Sequence, residues 1–156
     1  MNGEAVIERV AAALNKCRLE AVLIGNAGAA LQGAPVTTLD FDFMFRKTPA
    51  NLRKLKRLAR ELNGCVLRPY YPVSSLYRLA VDESGLQLDF MSRIHGVRSF
   101  ESLRSRASEV TFWGHRLLVA SLQDIVASKR AAGRERDKAA LVILQKTLDE
   151  KRKQKA

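Results

Sequence analysis

The sequence is poor in the residues from which metal sites and disulfide frameworks are commonly built. Its 156 residues contain only two cysteines and two histidines, and neither an HExxH nor a CxxC motif occurs. The two histidines, His95 and His115, have no partner at a metal-ligating spacing. Cys17 and Cys65 also lie far from any other cysteine or histidine in sequence. We therefore expect two buried thiols rather than a disulfide or a zinc site.

Several other functional signatures are missing as well. The absence of a GxSxG nucleophile elbow disfavours a serine hydrolase, and the absence of Walker A and GxGxxG motifs disfavours P-loop and Rossmann nucleotide sites. No apolar run approaches the roughly 20 residues of a membrane span. The N-terminal segment MNGEAVIERV contains two glutamates and no signal-peptide core. These features predict a cytoplasmic protein with no membrane partner.

Acidic residues are scarce relative to basic ones. The chain has 27 Lys and Arg against 16 Asp and Glu, which gives a net charge of +11. Such an excess suits a polyanionic partner such as RNA, DNA or a nucleoside triphosphate, although a basic surface that only maintains solubility explains it equally well. The length predicts a single domain, residues 1–150, followed by a basic C-terminal tail, residues 151–156.

Two of the scarce acids lie inside an apolar strand pattern. We predict a strand from about Thr38 to Phe45, yet aspartate is normally depleted in strands. Strand alternation places Asp40 and Asp42 on one face, and the opposite face is apolar, with Leu39, Phe41, Phe43 and Phe45. Carboxylates roughly 6.5–7 Å apart along a strand can reach one divalent cation. The alternative is an edge strand whose polar face is in water.

A glycine turn precedes this strand. The apolar segment Ala21–Ile24 predicts a short strand that ends at Gly25, and Asn26 is a candidate N-cap for a helix over Ala27–Gln32. Free N–H groups and the dipole at a helix N-terminus favour phosphate. Gly25 would let the backbone approach a ligand closely, and the Asn26 amide could donate a hydrogen bond.

The middle of the chain predicts a helix and three strands. Thr48 and Pro49 begin the helix, Asn63-Gly64 ends it, and its basic face either approaches nucleic acid or is solvated. The three strand candidates are Cys65–Pro69, Leu76–Val81 and Leu86–Met91, the last two joined by a hairpin turn at residues 82–85. Asp89 in the third candidate repeats the anomaly of an acid within an apolar strand, although its pattern alone indicates only a half-exposed residue.

The C-terminal third predicts two further strands and three helices. A helix around Phe100–Arg106 is followed by a strand-like pair, Glu109–Phe112 and His115–Val119, and a helix capped at Ser121. Gly133 separates that helix from the last one, which runs from Arg134 to about Leu148. Lys129 and Asp137 lie on the inward, apolar faces of these two helices, near their junction. Charges in such positions either pair with each other or line a cleft.

Together these motifs resemble the nucleotidyltransferase-like superfamily, the fold shared by DNA polymerase beta and kanamycin nucleotidyltransferase. They are especially similar to minimal nucleotidyltransferases and to toxin-type members of toxin–antitoxin systems. In that superfamily a strand leads through a glycine turn and a helix to a strand bearing Asp-x-Asp. In this sequence the turn is Gly25-Asn26, and the acidic pair is Asp40 and Asp42. The segment SKRAAGRERDKAAL, residues 128–141, resembles the Lys…Arg…Arg-Asp motif that toxin-type members place beside the triphosphate.

The resemblance implies an α/β fold with a mixed twisted sheet of about five strands flanked by helices. It implies a Mg²⁺- or Mn²⁺-dependent enzyme that moves a nucleoside monophosphate from a nucleoside triphosphate to a hydroxyl of RNA, protein or a small molecule. Asp40 and Asp42 would hold the metals, and Asp89 would bind the acceptor-side metal and help draw the proton. The nucleotide would contact Gly25, Asn26, Lys129, Arg134, Arg136 and Asp137.

Two further implications concern partners and activity. The small size of the chain favours a homodimer or a toxin–antitoxin partner that supplies acceptor recognition. Asn26 stands where relatives have serine or glycine, and Val36 stands where many toxin-type relatives have arginine. These differences leave open a catalytically silent module that binds RNA or a protein partner.

Overall fold

A computed structural model describes residues 3–36, 38, 40–81 and 83–155, without the side chains of residues 3–5 and 112. The helices are α1 (Gly3–Cys17), α2 (Gly25–Ala30), α3 (Pro49–Glu61), α4 (Phe100–Arg106), α5 (Leu122–Ala132) and α6 (Lys138–Lys155). The strands are β1 (Ala21–Ile24), β2 (Asp40–Phe45), β3 (Cys65–Leu67), β4 (Tyr77–Val81), β5 (Leu86–Met91), β6 (Ser108–Phe112) and β7 (His115–Val119). A 3₁₀ turn, Glu135–Asp137, leads into α6.

The strands form one mixed sheet in the order β3-β4-β5-β2-β1-β7-β6. At its centre β2 pairs antiparallel with β1 and parallel with β5. The expected α/β fold with a mixed sheet and flanking helices is confirmed, but the sheet has seven strands in the described part of the chain rather than about five. The difference arises because the β6–β7 hairpin joins the main sheet, with β7 parallel to β1.

The two faces of the sheet differ in character. On one face, α1 and α3 pack over the phenylalanines of β2 and their neighbours, and Phe43 stacks on Phe90 of β5 with ring centroids 5.0 Å apart. The other face is covered by α2, α4, α5 and α6 and carries Asp40 and Asp42. The predicted alternation along β2 is thus confirmed from Asp40 onward, whereas Leu39 lies outside the described residues. Burial of the phenylalanine face fixes the register, which in turn directs the carboxylates to the opposite face.

Helix α3 begins as predicted. Thr48 Oγ1 accepts a hydrogen bond from Asn51 N at 3.1 Å, and Pro49 is the first helical residue. Because α3 packs on the face opposite the carboxylates, its basic side chains do not lie beside the acids. The predicted β4–β5 hairpin also forms, with Val81 opposite Leu86, although Asp82 in its turn is outside the described residues.

Two details differ from the predictions. Cys17 is buried as expected, but Cys65 is exposed because it lies on the edge strand β3. Helix α6 begins at Lys138 and continues to Lys155, so residues 151–155 are helical rather than a frayed tail. Gly133, with φ of 63°, ends α5 as expected. None of the helices described here has the length and apolar character needed to cross a membrane.

Candidate functional site

All nine predicted site residues line one cavity of about 690 Å³ on the helical side of the sheet. The carboxylates come from the centre of the sheet, where Asp42 of β2 lies directly opposite Asp89 of β5 and Asp40 lies opposite Gln87. The remaining predicted residues come from the β1–α2 junction and from the α5–α6 junction; they are Gly25, Asn26, Lys129, Arg134, Arg136 and Asp137. The topology therefore brings three distant segments of the sequence to one place.

The carboxyl group of Asp42 has a raised pKa. Burial raises the pKa of its carboxyl group, and the nearby carboxylates of Asp89 and Asp40 raise it further, to about 6. The positive charges of Lys129 and Arg134 lower this pKa but do not offset the increase. A carboxylate that is costly to ionise by itself is well suited to bind a cation, because the cation removes that cost.

Asp89 is held by an arginine that the sequence analysis did not identify. Arg78 of β4 donates from Nε and Nη2 to the two Asp89 carboxylate oxygens, at 2.9 and 3.2 Å. Gln87 Nε2 also donates to Asp89, at 3.4 Å, and Asp89 is only 8% exposed. The bidentate geometry fixes the plane of the carboxylate.

A signal for this pair was present in the sequence. A hairpin turn at residues 82–85 pairs Val81 with Leu86. Counting three residues back along β4 and three forward along β5 then places Arg78 opposite Asp89. Both side chains then lie on the same face of the sheet. Arg78 therefore belongs to the site, and the pairing follows from hairpin register rather than from any motif.

The α5–α6 junction carries a second charged cluster. Lys129 Nζ lies 3.4 Å from Asp137 Oδ1, and Arg134 Nε donates to Asp137 Oδ2 at 2.6 Å. Burial by itself raises the pKa of Asp137, but the Arg134 hydrogen bond and the charge of Lys129 outweigh it, so this pKa lies below its usual value. The sequence left two interpretations open for Lys129 and Asp137, that they pair with each other or that they line a cleft. Both are correct, because the two charges pair and also line the cavity.

The helix that follows β1 differs from the prediction in both of its ends and in its N-cap. Helix α2 begins at Gly25 rather than Ala27 and ends at Ala30, because the chain turns from β1 directly into the helix. Ile24 precedes the first helical residue and no side chain caps it, so the assignment of Asn26 as the N-cap was wrong. Gly25 has φ of 66°, and a Cβ at this position would lie 3.0 Å from Asp42 Oδ2. Asn26 Oδ1 is buried and has no hydrogen-bond partner among the described residues.

The carboxylates fit a divalent cation in part. Mg²⁺ is usually held by one or two carboxylates together with substrate phosphates, and Asp40 and Asp42 on one face of β2 supply such an all-oxygen pair. No three His, Cys, Asp or Glu side chains within the described ranges converge closely enough to hold a metal together. A ligand role for Asp89 requires its carboxylate to turn away from Arg78.

Comparisons with known proteins support the fold. No protein-family model matches the sequence, and no curated protein matches it. Among solved structures, ANT(2'')-Ia in complex with adenylyl-2''-tobramycin aligns with a TM-score of 0.63 and 14% identity over 93% of this chain and 88% of that one. The lincomycin-bound lincosamide antibiotic adenylyltransferase LnuA aligns with a TM-score of 0.63 and 13% identity over 93% and 96% of the two chains. A Thermotoga maritima protein assigned as a nucleotidyltransferase aligns with a TM-score of 0.60 and 21% identity over 94% and 92%.

Proposed function

We propose that this chain, which has the nucleotidyltransferase-like fold, is a metal-dependent nucleotidyltransferase. It moves a nucleoside monophosphate from a nucleoside triphosphate to an acceptor hydroxyl. The observation that carries this proposal is the convergence on one cavity of the Asp40–Asp42 pair, the Gly25-Asn26 turn and the Lys129–Arg134–Asp137 cluster. The structural neighbours include the lincosamide antibiotic adenylyltransferase LnuA and ANT(2'')-Ia in complex with adenylyl-2''-tobramycin, which supports this reaction type.

Asp40 and Asp42 would hold a divalent cation, Mg²⁺ or Mn²⁺. Such a cation, when bound, supplies Lewis-acid stabilisation of charge on the phosphates. The raised pKa of Asp42, about 6, follows from burial and from the neighbouring acids. Asp42 therefore gains more from cation binding than an exposed carboxylate would, which supports its role as the principal ligand.

The triphosphate would lie between the glycine turn and the helix junction. Asp137 holds Lys129 and Arg134 in place, and this group of two cations and one anion leaves one positive charge directed at the cavity. Gly25 has no side chain to obstruct a phosphate beside Asp42. Asn26 Oδ1 is buried and has no hydrogen-bond partner among the described residues; as an acceptor it can take a hydrogen bond from a ligand donor but cannot bind a phosphate oxygen.

The acceptor would enter on the side of β4 and β5. Its hydroxyl oxygen forms a bond to the α-phosphorus, the bond from that phosphorus to the bridging oxygen of the β-phosphate breaks, and pyrophosphate leaves. Asp89 accepts the hydroxyl proton and passes it to water, with Arg78 fixing the orientation of its carboxylate. Positioning and charge stabilisation account for most of catalysis in reactions of this kind.

Three observations favour a second candidate, a catalytically silent module that binds RNA or a protein partner. Both carboxylate oxygens of Asp89 are engaged by Arg78, and no three-acid metal cluster forms within the described residues. Val36, where many toxin-type relatives have arginine, packs against the apolar core of the helical layer. A toxin–antitoxin role rests on the sequence resemblance alone, and a homodimer rests on the small size of the chain.

Thermal stability with nucleoside triphosphates separates the two candidates. A ligand at about 100 times its Kd stabilises a protein by roughly 2.7 kcal/mol, so we expect a rise in Tm that requires Mg²⁺ or Mn²⁺. Gly25→Ala should abolish this rise, because the new methyl group would crowd Asp42.

Gly33→Ala is the matched control. Gly33 also has positive φ, 95°, but a Cβ there would meet no atom of the described residues within 4 Å. The variant therefore introduces backbone strain without crowding the site, and its response to the triphosphate should match that of the wild type. No rise in Tm with any of the common triphosphates and either metal would contradict the enzymatic proposal and support the silent module.

A further inference from the structure

The charges that line the cavity show which kind of acceptor it can accommodate. Among the described residues, five acids line it: Asp40, Asp42, Asp89, Asp124 and Asp137. Three of them are already paired with a basic side chain of the chain itself, namely Asp89 with Arg78, Asp124 with Arg106 and Asp137 with Lys129 and Arg134. The other two form the pair assigned to the cation. Within the described part of the chain, no cavity acid is left over to bind the ammonium groups of a polycationic acceptor.

Two basic side chains of the cavity are available instead. Arg93, just beyond the end of β5, and Arg136, in the 3₁₀ turn, both line the cavity and are exposed. Neither makes an ion pair with any residue in the described part of the chain, unlike Arg78 and Arg134. An anionic acceptor would complement these charges, as it would the net charge of +11.

The mouth of the cavity also presents aromatic rings. Tyr70, in the loop between β3 and β4, lines the cavity and is 74% exposed, and the neighbouring Tyr71 is 63% exposed. The Arg68 guanidinium lies 4.0 Å from the centroid of the Tyr71 ring. Exposed rings interleaved with arginines form the kind of surface on which unpaired bases stack while phosphates are neutralised.

We infer that the acceptor is the unpaired end of a nucleic acid chain, whose last bases stack on the β3–β4 loop and whose backbone contacts Arg93. This inference rests on the proposed function. The terminal 3′-hydroxyl oxygen forms the new bond to the α-phosphorus of the nucleoside triphosphate, and pyrophosphate leaves. The proton passes through Asp89 to water, so the product is the same chain extended by one nucleotide.

Binding is tested by fluorescence anisotropy with 5′-labelled single-stranded RNA and DNA of roughly 12 nucleotides, over a series of salt concentrations. Tyr70→Ala should weaken binding roughly 5- to 150-fold, the range found for loss of one stacked base. Arg93→Gln should lower the slope of log affinity against log salt by about one. The preference between RNA and DNA identifies the natural chain type.

Matched control variants are available on distant surfaces. Trp113, 82% exposed, lies at the turn between β6 and β7, at the opposite end of the sheet from the β3–β4 loop. Arg53 is exposed on α3, on the opposite face of the sheet. Trp113→Ala and Arg53→Gln should bind the oligonucleotides like the wild type. If instead Arg53→Gln weakens binding and Arg93→Gln does not, the nucleic acid contacts α3 and the inference is wrong.

Two further experiments, thermal stability with triphosphates and nucleotide transfer to an acceptor, separate this inference from the proposed function. Suppose that a triphosphate stabilises the protein in a metal-dependent way. Failure to bind either oligonucleotide, or transfer to tobramycin, would then overturn only the acceptor assignment. Oligonucleotide binding that depends on Tyr70, without stabilisation by any triphosphate, would contradict the proposed function and support the binding surface. Transfer to an oligonucleotide that is lost when its terminal 3′-hydroxyl is replaced by phosphate would support both.

Discussion

Two of the ion-paired groups that border the cavity are built in opposite ways. At the helix junction one acid, Asp137, holds two cations, Lys129 and Arg134. At the strand side one cation, Arg78, holds one acid, Asp89. The helical group therefore has an excess positive charge, whereas the strand group is neutral.

The difference indicates how the two sides divide the reaction. In the helical group the acid fixes the positions of the cations, which suits a site for the highly charged triphosphate. In the strand group the cation fixes the orientation of the acid, which suits a residue that must accept a proton from a particular direction. A single fold thus provides a charged side and a neutral side around the same carboxylate pair.

The largest effect that we expect from this comparison is on stability. Asp137→Asn removes the acid that two cations share and leaves the Lys129 side chain, only 10% exposed, without its partner. Loss of one member of a buried pair leaves an uncompensated charge, so we expect a loss of about 3 kcal/mol in urea unfolding. Asp89→Asn should cost only about 1 kcal/mol, because the Arg78 side chain is 30% exposed and can reach water.

Glu135→Gln is the control for this pair of variants. Glu135 bonds to Lys138 on the surface, where both side chains are largely exposed, and such pairs contribute little to stability. Equal losses for Asp137→Asn and Asp89→Asn would show that the two groups do not differ in the way described here.

A smaller effect is expected from the pH dependence of Asp42. Its folded-state pKa is raised from 3.8 to about 6 by burial and neighbouring acids. The contribution of the protonated carboxyl group to stability is therefore fully present below about pH 4 and is lost as pH rises through about 6. At about 1.4 kcal/mol for each pKa unit, the metal-free protein should lose about 2–3 kcal/mol across this range.

Asp42→Asn should remove this loss. In chelator-containing buffer, the variant should gain stability relative to the wild type as pH rises from 4 to 7, whereas Asp149→Asn on the exposed part of α6 should follow the wild type. Added Mg²⁺ should reduce the difference, because the cation compensates the carboxylate. Parallel pH profiles for wild type and Asp42→Asn would contradict the assigned environment of Asp42.

How much of the site is predictable from sequence also differs between the two groups. Helical periodicity alone places Lys129 and Asp137 on inward faces near one junction, and strand alternation alone places Asp40 and Asp42 on one face. Arg78 was missed because its importance depends on cross-strand pairing, which requires the register of the hairpin rather than a local pattern.

The remaining errors have similar causes. The burial of Cys65 was mispredicted because an apolar context does not reveal that a strand lies at the sheet edge. The attachment of β6 and β7 to the main sheet, through pairing of β7 with β1, is a long-range contact that the strand patterns do not specify. The start of α2 at Gly25 depends on the direct turn from β1 into the helix.

The most direct test of the central claim is transfer of a radiolabelled nucleoside monophosphate from α-labelled triphosphates in the presence of Mg²⁺ or Mn²⁺. RNA, protein and tobramycin are supplied as acceptors. We predict metal-dependent labelling by the wild type and by Asp149→Asn, and a loss on the order of 10³-fold or more in Asp42→Asn. Because Asp42→Asn should be at least as stable as the wild type at neutral pH, unfolding would not explain that loss. Labelling by Asp42→Asn at the wild-type rate would contradict the account.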